Sequence, residues 1–365
     1  MKFITCAGPP PLRRSQHRSA QDLSALHARI LDLTSSAVRV QDGKLPSEQR
    51  LLYVLEQFAA IVNSLIDAKT ANTLRSNARN GEQPEMTATS ALLGSVNARS
   101  YPAFLTKASV LNFISEKSEE ILRHPTTFIT SAVLKTYVEL QTTLHQPSSF
   151  PDIFDLYASK SIPTPTTVAS ENSIKYTPAD PNKVSAAIDS PTANLALTSA
   201  LEAHNLSLAI DIITTTFCAP AFKKSKILRQ ALIPMAGIAI APVAAYTLST
   251  QFSAWQTTMD PSYATGVAFA GIIAYVAHIS TIGYVAVTTA NDQMDRVTWA
   301  QGIPLHERWV REEERAALDR VAGKWGFQAV ERRGDEEGED WERLREFVGM
   351  RGMVLDRVEL MDGME

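Results

Sequence analysis

Apolar positions along the chain first follow helix spacing. Leu23, Leu26, Ile30 and Leu33 recur every three or four residues, and Asp42-Gly43 marks the turn that follows. Pro46 and Ser47 open a second helix, with Ser47 as N-cap, Glu48 in the first turn and a stripe of Leu51, Leu55, Phe58, Val62 and Leu65. Residues 70–100 turn to Asn, Thr, Ser, Gly and Ala and read as a linker. Helical periodicity resumes with Phe104, Leu111, Ile114, Ile121 and Leu122, closed by His124-Pro125, where proline blocks continuation.

Two helix–turn–helix stretches come next, 127–159 and 192–217, separated by a Pro-, Thr- and Ser-rich loop over 162–191. Beyond them the pattern changes in kind. Between Arg229 and Asp292 the only ionisable side chains are Asp260, His278 and the weakly acidic tyrosines. This leaves two uncharged runs, 230–259 and 261–291, and neither carries the polar stripe of a soluble amphipathic helix. About 20 helical residues cross a hydrocarbon core of roughly 30 Å, so each run is long enough to span once. Residues 230–252 and 263–290 are therefore expected to form a transmembrane helical hairpin.

These elements predict an all-α chain: a repeat-like helical-hairpin bundle, a two-helix transmembrane hairpin and a small acidic helical C-terminal domain. The expected organisation is a leader over 1–19, a helical hairpin over 20–69, the linker, a bundle over 101–226, the two spans, and the C-terminal domain over 292–365.

Charge adds sidedness. From Asp292 onward there are 12 Lys and Arg against 19 Asp and Glu, a net of −7, whereas the preceding part carries +3. Lys223, Lys224, Lys226 and Arg229 abut the first span, Arg296 and Arg308 follow the second, and the loop around Asp260 has no Lys or Arg. By the positive-inside rule both outer flanks lie on one inner side, with Tyr246, Trp255 and Tyr263 at the far interface. The first residues carry Lys2, Arg13, Arg14 and Arg18 with no acid before Asp22, which reads as a mitochondrial transit peptide. The expected address is the mitochondrial inner membrane, with both termini in the matrix.

Within the hairpin, small residues recur at every fourth position: Gly237, Ala241 and Ala245 on the first helix, and Gly266, Ala270 and Ala274 on the second. Such spacing lets helix backbones approach closely in lipid, so the stripes either pack on each other or meet a partner's helix. His278 continues the second stripe. An intramembrane ionisable residue is a functional candidate, and a neutral imidazole bonded to Ser280, Thr281 or a carbonyl is the plainer expectation. Pro234 and Pro242 are expected to kink the first span.

Candidate chemistry is sparse. His306-Glu307 opens like a zincin motif, but Val310 stands where its second histidine belongs. Asp335, Glu337, Glu339 and Glu346 fall at EF-hand spacing, but Asp340 replaces the required glycine. Two cysteines, Cys6 and Cys218, exclude a disulfide framework, and Cys218 reads as packing. No nucleophile elbow, phosphate loop or dinucleotide fingerprint occurs. No catalytic, metal, cofactor or small-molecule site is expected.

Ala132, Leu134, Tyr137, Leu140, Ile153, Phe154 and Leu156 resemble tetratricopeptide and pentatricopeptide repeats, with Leu197, Ala200, Leu201, Ala209, Ile210 and Ile213 as a second copy. Two copies supply none of the paired side chains at fixed period by which such arrays read RNA, so nucleic acid is not an expected ligand. The hairpin followed by TTANDQMDRVTWAQGIPLHERWVREEERAALDRV resembles a family of poorly characterised fungal mitochondrial proteins. That resemblance implies inner-membrane residence and a role in respiratory-chain biogenesis. The expected partners are the lipid bilayer and either respiratory complexes or the mitochondrial ribosome. The expected function is a non-enzymatic scaffold or assembly factor, with a membrane-tethered factor for mitochondrial ribosomes or mRNA as the alternative.

Overall fold

The structure, a computed structural model, describes residues 13–39, 45–79, 107–165, 174–289 and 295–356. The first residues of the expected leader, most of the expected linker and the extreme C-terminal tail lie outside the described residues. The described chain is mostly helical, with few short strands. It divides into two compact units, Met1–Ala179 and Asp180–Glu365.

The first unit begins with α1 (Arg13–Val38) and α2 (Glu48–Arg79). Helix α2 starts on the expected cap, since the Arg50 N–H donates to Ser47 Oγ at 3.3 Å. Its stripe of Leu51, Leu55, Phe58, Val62 and Leu65 is buried. The helix runs ten residues into the expected linker, because extending a formed helix costs far less than starting one and no glycine or proline intervenes before residue 80. Helices α3 (Lys107–Arg123), α4 (Ser131–Leu144) and α5 (Phe150–Ser159) complete the helical core. Gln141 is fully buried on α4, but its amide accepts from Ser115 Oγ at 2.9 Å and donates to Ser118 Oγ at 3.1 Å. A satisfied amide in a core carries no desolvation debt of the kind an orphan would.

Lys160, just past α5, meets the C-terminal end of α3. Its ammonium donates to the carbonyl of Leu122, to that of His124 at 2.7 Å and to Thr127 Oγ1 at 3.0 Å. Carbonyls at a helix C-terminus have no intrahelical partner, and the cation meets them and the negative end of the dipole. The segment expected as a loop over 162–191 holds two short strands among its described residues. Strand β1 (Ile162–Pro165) pairs antiparallel with β2 (Ile174–Thr177), Ile162 opposite Thr177.

The second unit contains α6 (Ser190–Glu202), α7 (Leu206–Thr215), the long helices α8 (Pro220–Trp255) and α9 (Pro261–Thr289), then β3 (Val297–Trp299), α10 (Leu305–Val310), α11 (Glu312–Trp325), α12 (Glu339–Met350) and β4 (Met353–Leu355). Asn205 caps α7 by accepting from the Leu208 N–H at 3.1 Å. The two stretches likened to repeats thus fall in different units, 127–159 in the first and 192–217 in the second. Helices α6 and α7 pack on α11, where Arg320 donates to Asn194 Oδ1 at 2.7 Å and Trp325 meets the His204 ring edge-on. Strand β4 pairs antiparallel with β3, Val297 opposite Leu355 and Trp299 opposite Met353.

Candidate functional site

Helix α8 has 36 residues and α9 has 29, lengths of about 54 and 43 Å. Both are long and apolar enough to cross a membrane. A soluble core hairpin would bury its apolar windows, yet only 6 % of the first and none of the second is buried. Helix α8 runs through Pro234 and Pro242 without a break. Asp260, the one carboxylate between the runs, caps α9: its Oδ1 accepts the Ser262 N–H at 2.9 Å and the Tyr263 N–H at 3.3 Å, with Pro261 at the first helical position.

The helices do not meet stripe to stripe. Along α8, among the described residues beyond the basic segment, those buried are Ala245, Ser249 and Ser253, and Tyr246 touches Phe269 edge-on. The serine hydroxyls of this seam donate back to the carbonyls of Tyr246 and Thr250, so the seam holds no unmet donor. Of the small residues singled out by spacing, Ala245 is buried and Ala241 half-buried, whereas Gly237, Gly266, Ala270 and Ala274 are exposed. A Cβ at Gly237 or Gly266 would meet nothing within 4 Å. His278 is exposed too. The expected bond to Ser280, Thr281 or a carbonyl is not made among the described residues: Thr281 instead donates to Ala277, and Ser280 is half-buried on another side of the helix. Tyr246, Trp255 and Tyr263 are exposed toward the loop end of the hairpin.

The base of the hairpin is built from charge. Lys226 is buried, its ammonium donating to the Trp309 carbonyl and to Glu313 (2.5 Å), and it lies 5.3 Å from the Trp309 ring centroid. Lys223 faces the fully buried Glu314 at 3.9 Å, Lys224 donates to the Asn182 carbonyl, and Arg229 pairs with Asp189. The four residues read as a topology signal are thus also tied to the rest of this unit. Glu314 gathers Arg311 at 3.0 Å and Arg351 at 3.3 Å as well. In the first turns of α11, Glu314 and Arg315 are buried while Ala316 is exposed. Helical spacing gives a face but not its sign, and here a paired-charge face turns inward.

A second charged centre escaped the sequence reading. Arg296 is buried between Glu336 (2.5 Å), a two-bond contact with Asp356 (2.8 Å each) and the ring of Trp341, 4.7 Å away. Glu336 also accepts the Phe327 and Gly334 N–H groups at 2.8 and 2.7 Å. Burial, the largest single influence, pushes this carboxyl up, but those hydrogen bonds together hold it at about 2. The available signal was the tryptophans. Trp299, Trp309 and Trp341 each carry a cation, Arg311, Lys226 and Arg296 respectively.

Where α8 and α9 leave this base they bound a groove of about 460 Å³. Pro234, Met235 and Ile238 form one wall, Val276, Tyr284 and Val287 the other, and Trp309 closes the end. A smaller notch beside it shares Val287, Thr288 and Trp309 and is lined by Arg308 and Glu312. No group of three or more His, Cys, Asp or Glu suited to a metal occurs among the described residues. Glu307 of the zincin-like pair is engaged with Arg311. The Cys218 thiol is pushed up to about 12, first by burial and then by the Glu314 charge, which makes it a poor nucleophile. Comparison with protein-family models, curated proteins and solved structures finds no match to this chain.

Proposed function

We propose that this chain is a non-enzymatic scaffold or assembly factor anchored in the mitochondrial inner membrane, with the segments on both sides of its hairpin in the matrix. The observation that carries the reading is the pair of apolar helices whose outer surfaces are exposed along their length and whose base is locked to a charged helical domain. The basic residues of that base, with none in the far loop, support the sidedness. Residence in mitochondria rests on the Arg-rich, acid-poor first residues and on the fungal resemblance. The face of α9 bearing Gly266, Ala270, Ala274 and His278 is where a partner's span would pack, since an imidazole turned toward lipid is costly.

Alkaline carbonate extraction of isolated mitochondria, followed by crosslinking mass spectrometry, tests this. Retention in the membrane pellet and RNase-resistant crosslinks to respiratory complexes are expected. Release into the supernatant defeats the anchor, and RNase-sensitive crosslinks confined to ribosomes defeat the partner assignment.

A further inference from the structure

Resting on the reading of the hairpin as membrane-inserted, we propose that the groove at its base is a binding site for one anionic glycerophospholipid. One acyl chain lies between α8 and α9, and the phosphate meets Arg308.

Depth is the first support. The groove spans Gln230 to Ile238 on α8 and Val276 to Thr288 on α9. At 1.5 Å per residue these are about 12 and 18 Å, the depth of one leaflet of a roughly 30 Å core. Its walls are apolar along most of that depth, interrupted by Ser280 and the Tyr284 hydroxyl, while Gln230 and Thr288 sit at the mouth, where an acyl chain would give way to glycerol. The volume falls in the range of small-ligand sites. Two glycines, Gly237 and Gly283, widen it, and a Cβ at either would meet nothing within 4 Å.

Charge decides the occupant. At this base, Lys226 is committed to Glu313 and Arg311 to Glu314, while Glu312 is committed to Arg315. Arg308 is different. Its Nε donates to the Ile303 carbonyl at 2.9 Å, which fixes the guanidinium, and no carboxylate pairs with it among the described residues. A half-buried guanidinium with unspent donors, beside a notch that shares its Val287, Thr288 and Trp309 walls with the groove, is complementary to a phosphate. A partner's apolar helix would fill the groove but leave that charge unanswered.

The test places the full chain in nanodiscs of phosphatidylcholine containing a minor fraction of phosphatidylglycerol. Lipids retained after mild detergent are then read by native mass spectrometry. Retention of one phosphatidylglycerol per chain is expected. Arg308→Gln should weaken retention roughly tenfold, the value of a hydrogen bond to a charged group. Gly283→Phe should abolish it by filling the groove. Gly271→Phe, at another position with open space around its Cβ, should leave it unchanged. A chain that fails to enter nanodiscs at all defeats the membrane reading itself. Insertion without preference for phosphatidylglycerol, or equal retention by Gly283→Phe and Arg308→Gln, overturns the lipid site. Photocrosslinks from Met235 to another polypeptide in place of lipid overturn it as well.

Discussion

Arg296 and Glu336, forty residues apart in sequence, form a buried ion pair with Nη2 2.5 Å from the carboxylate and side chains only 1 % and 6 % exposed. The pair closes the C-terminal helices around β3 and β4, since Asp356 binds the same guanidinium while its N–H donates to the Arg296 carbonyl. Removing one member of such a pair leaves an uncompensated charge in the interior. Arg296→Met is expected to destabilise this region by about 3–5 kcal/mol, read from the urea midpoint followed by tryptophan fluorescence. A loss of under 1 kcal/mol would show that the network is solvated.

Acid should act on the same pair. Glu336 is held at about 2 in the fold against an ordinary 4.5. Because the folded value is the lower one, the stabilisation is complete above about pH 4.5 and is lost as pH falls from there toward 2, a contribution on the order of 3 kcal/mol. Glu336→Gln should flatten the acid limb of stability across that window. An unchanged limb would assign acid sensitivity to other carboxylates.

Gly326 is required by the same guanidinium. A Cβ there would lie 1.5 Å from Arg296 Nη1 and 2.8 Å from Glu336 Oε1, so Gly326→Ala must dislodge the ion pair. A loss of about 3 kcal/mol or more is expected. Gly323→Ala, inside α11 with nothing within 4 Å, should instead stabilise by roughly 0.5–1 kcal/mol through helix propensity. Equal effects of the two substitutions would contradict the packing described.

In the first unit, Lys160→Met should remove the ammonium donor from the Leu122 carbonyl and leave the His124 carbonyl to its Thr127 donors alone. The expected cost is about 1–3 kcal/mol, with faster amide exchange concentrated in the last turn of α3. Exchange raised evenly over the whole unit would point to general destabilisation instead.

At the base of the hairpin, Lys226 and Glu313 should behave as a coupled pair. A double-mutant cycle with Lys226→Met and Glu313→Gln is expected to give a coupling of about 1–3 kcal/mol, because Lys226 is buried. Additive effects would mean the contact is incidental to the lock.

Much of the helical scaffold was readable from local pattern. The α2 stripe, the Ser47 cap, the stop at His124-Pro125 and the Asn205 turn lie where spacing and turn chemistry put them. The misses share one cause. The β3–β4 pairing joins residues at opposite ends of the C-terminal domain, and neither three-residue strand has a periodicity of its own. The acidic stretch around Glu336 and the charged first turn of α11 have the composition of solvated faces. Their burial depends on cations elsewhere in the chain.

Length and local apolarity alone specify the two long helices and their exposed surfaces, because transfer between water and lipid is a property of each segment taken by itself. Which face of each helix is turned in, which charges are buried, and the groove at the hairpin base came only with tertiary packing. Lys226 meets Glu313 across 87 positions and Arg296 meets Asp356 across 60. Pairings over such separations cannot be distinguished from ordinary surface charge until the chain has brought them together.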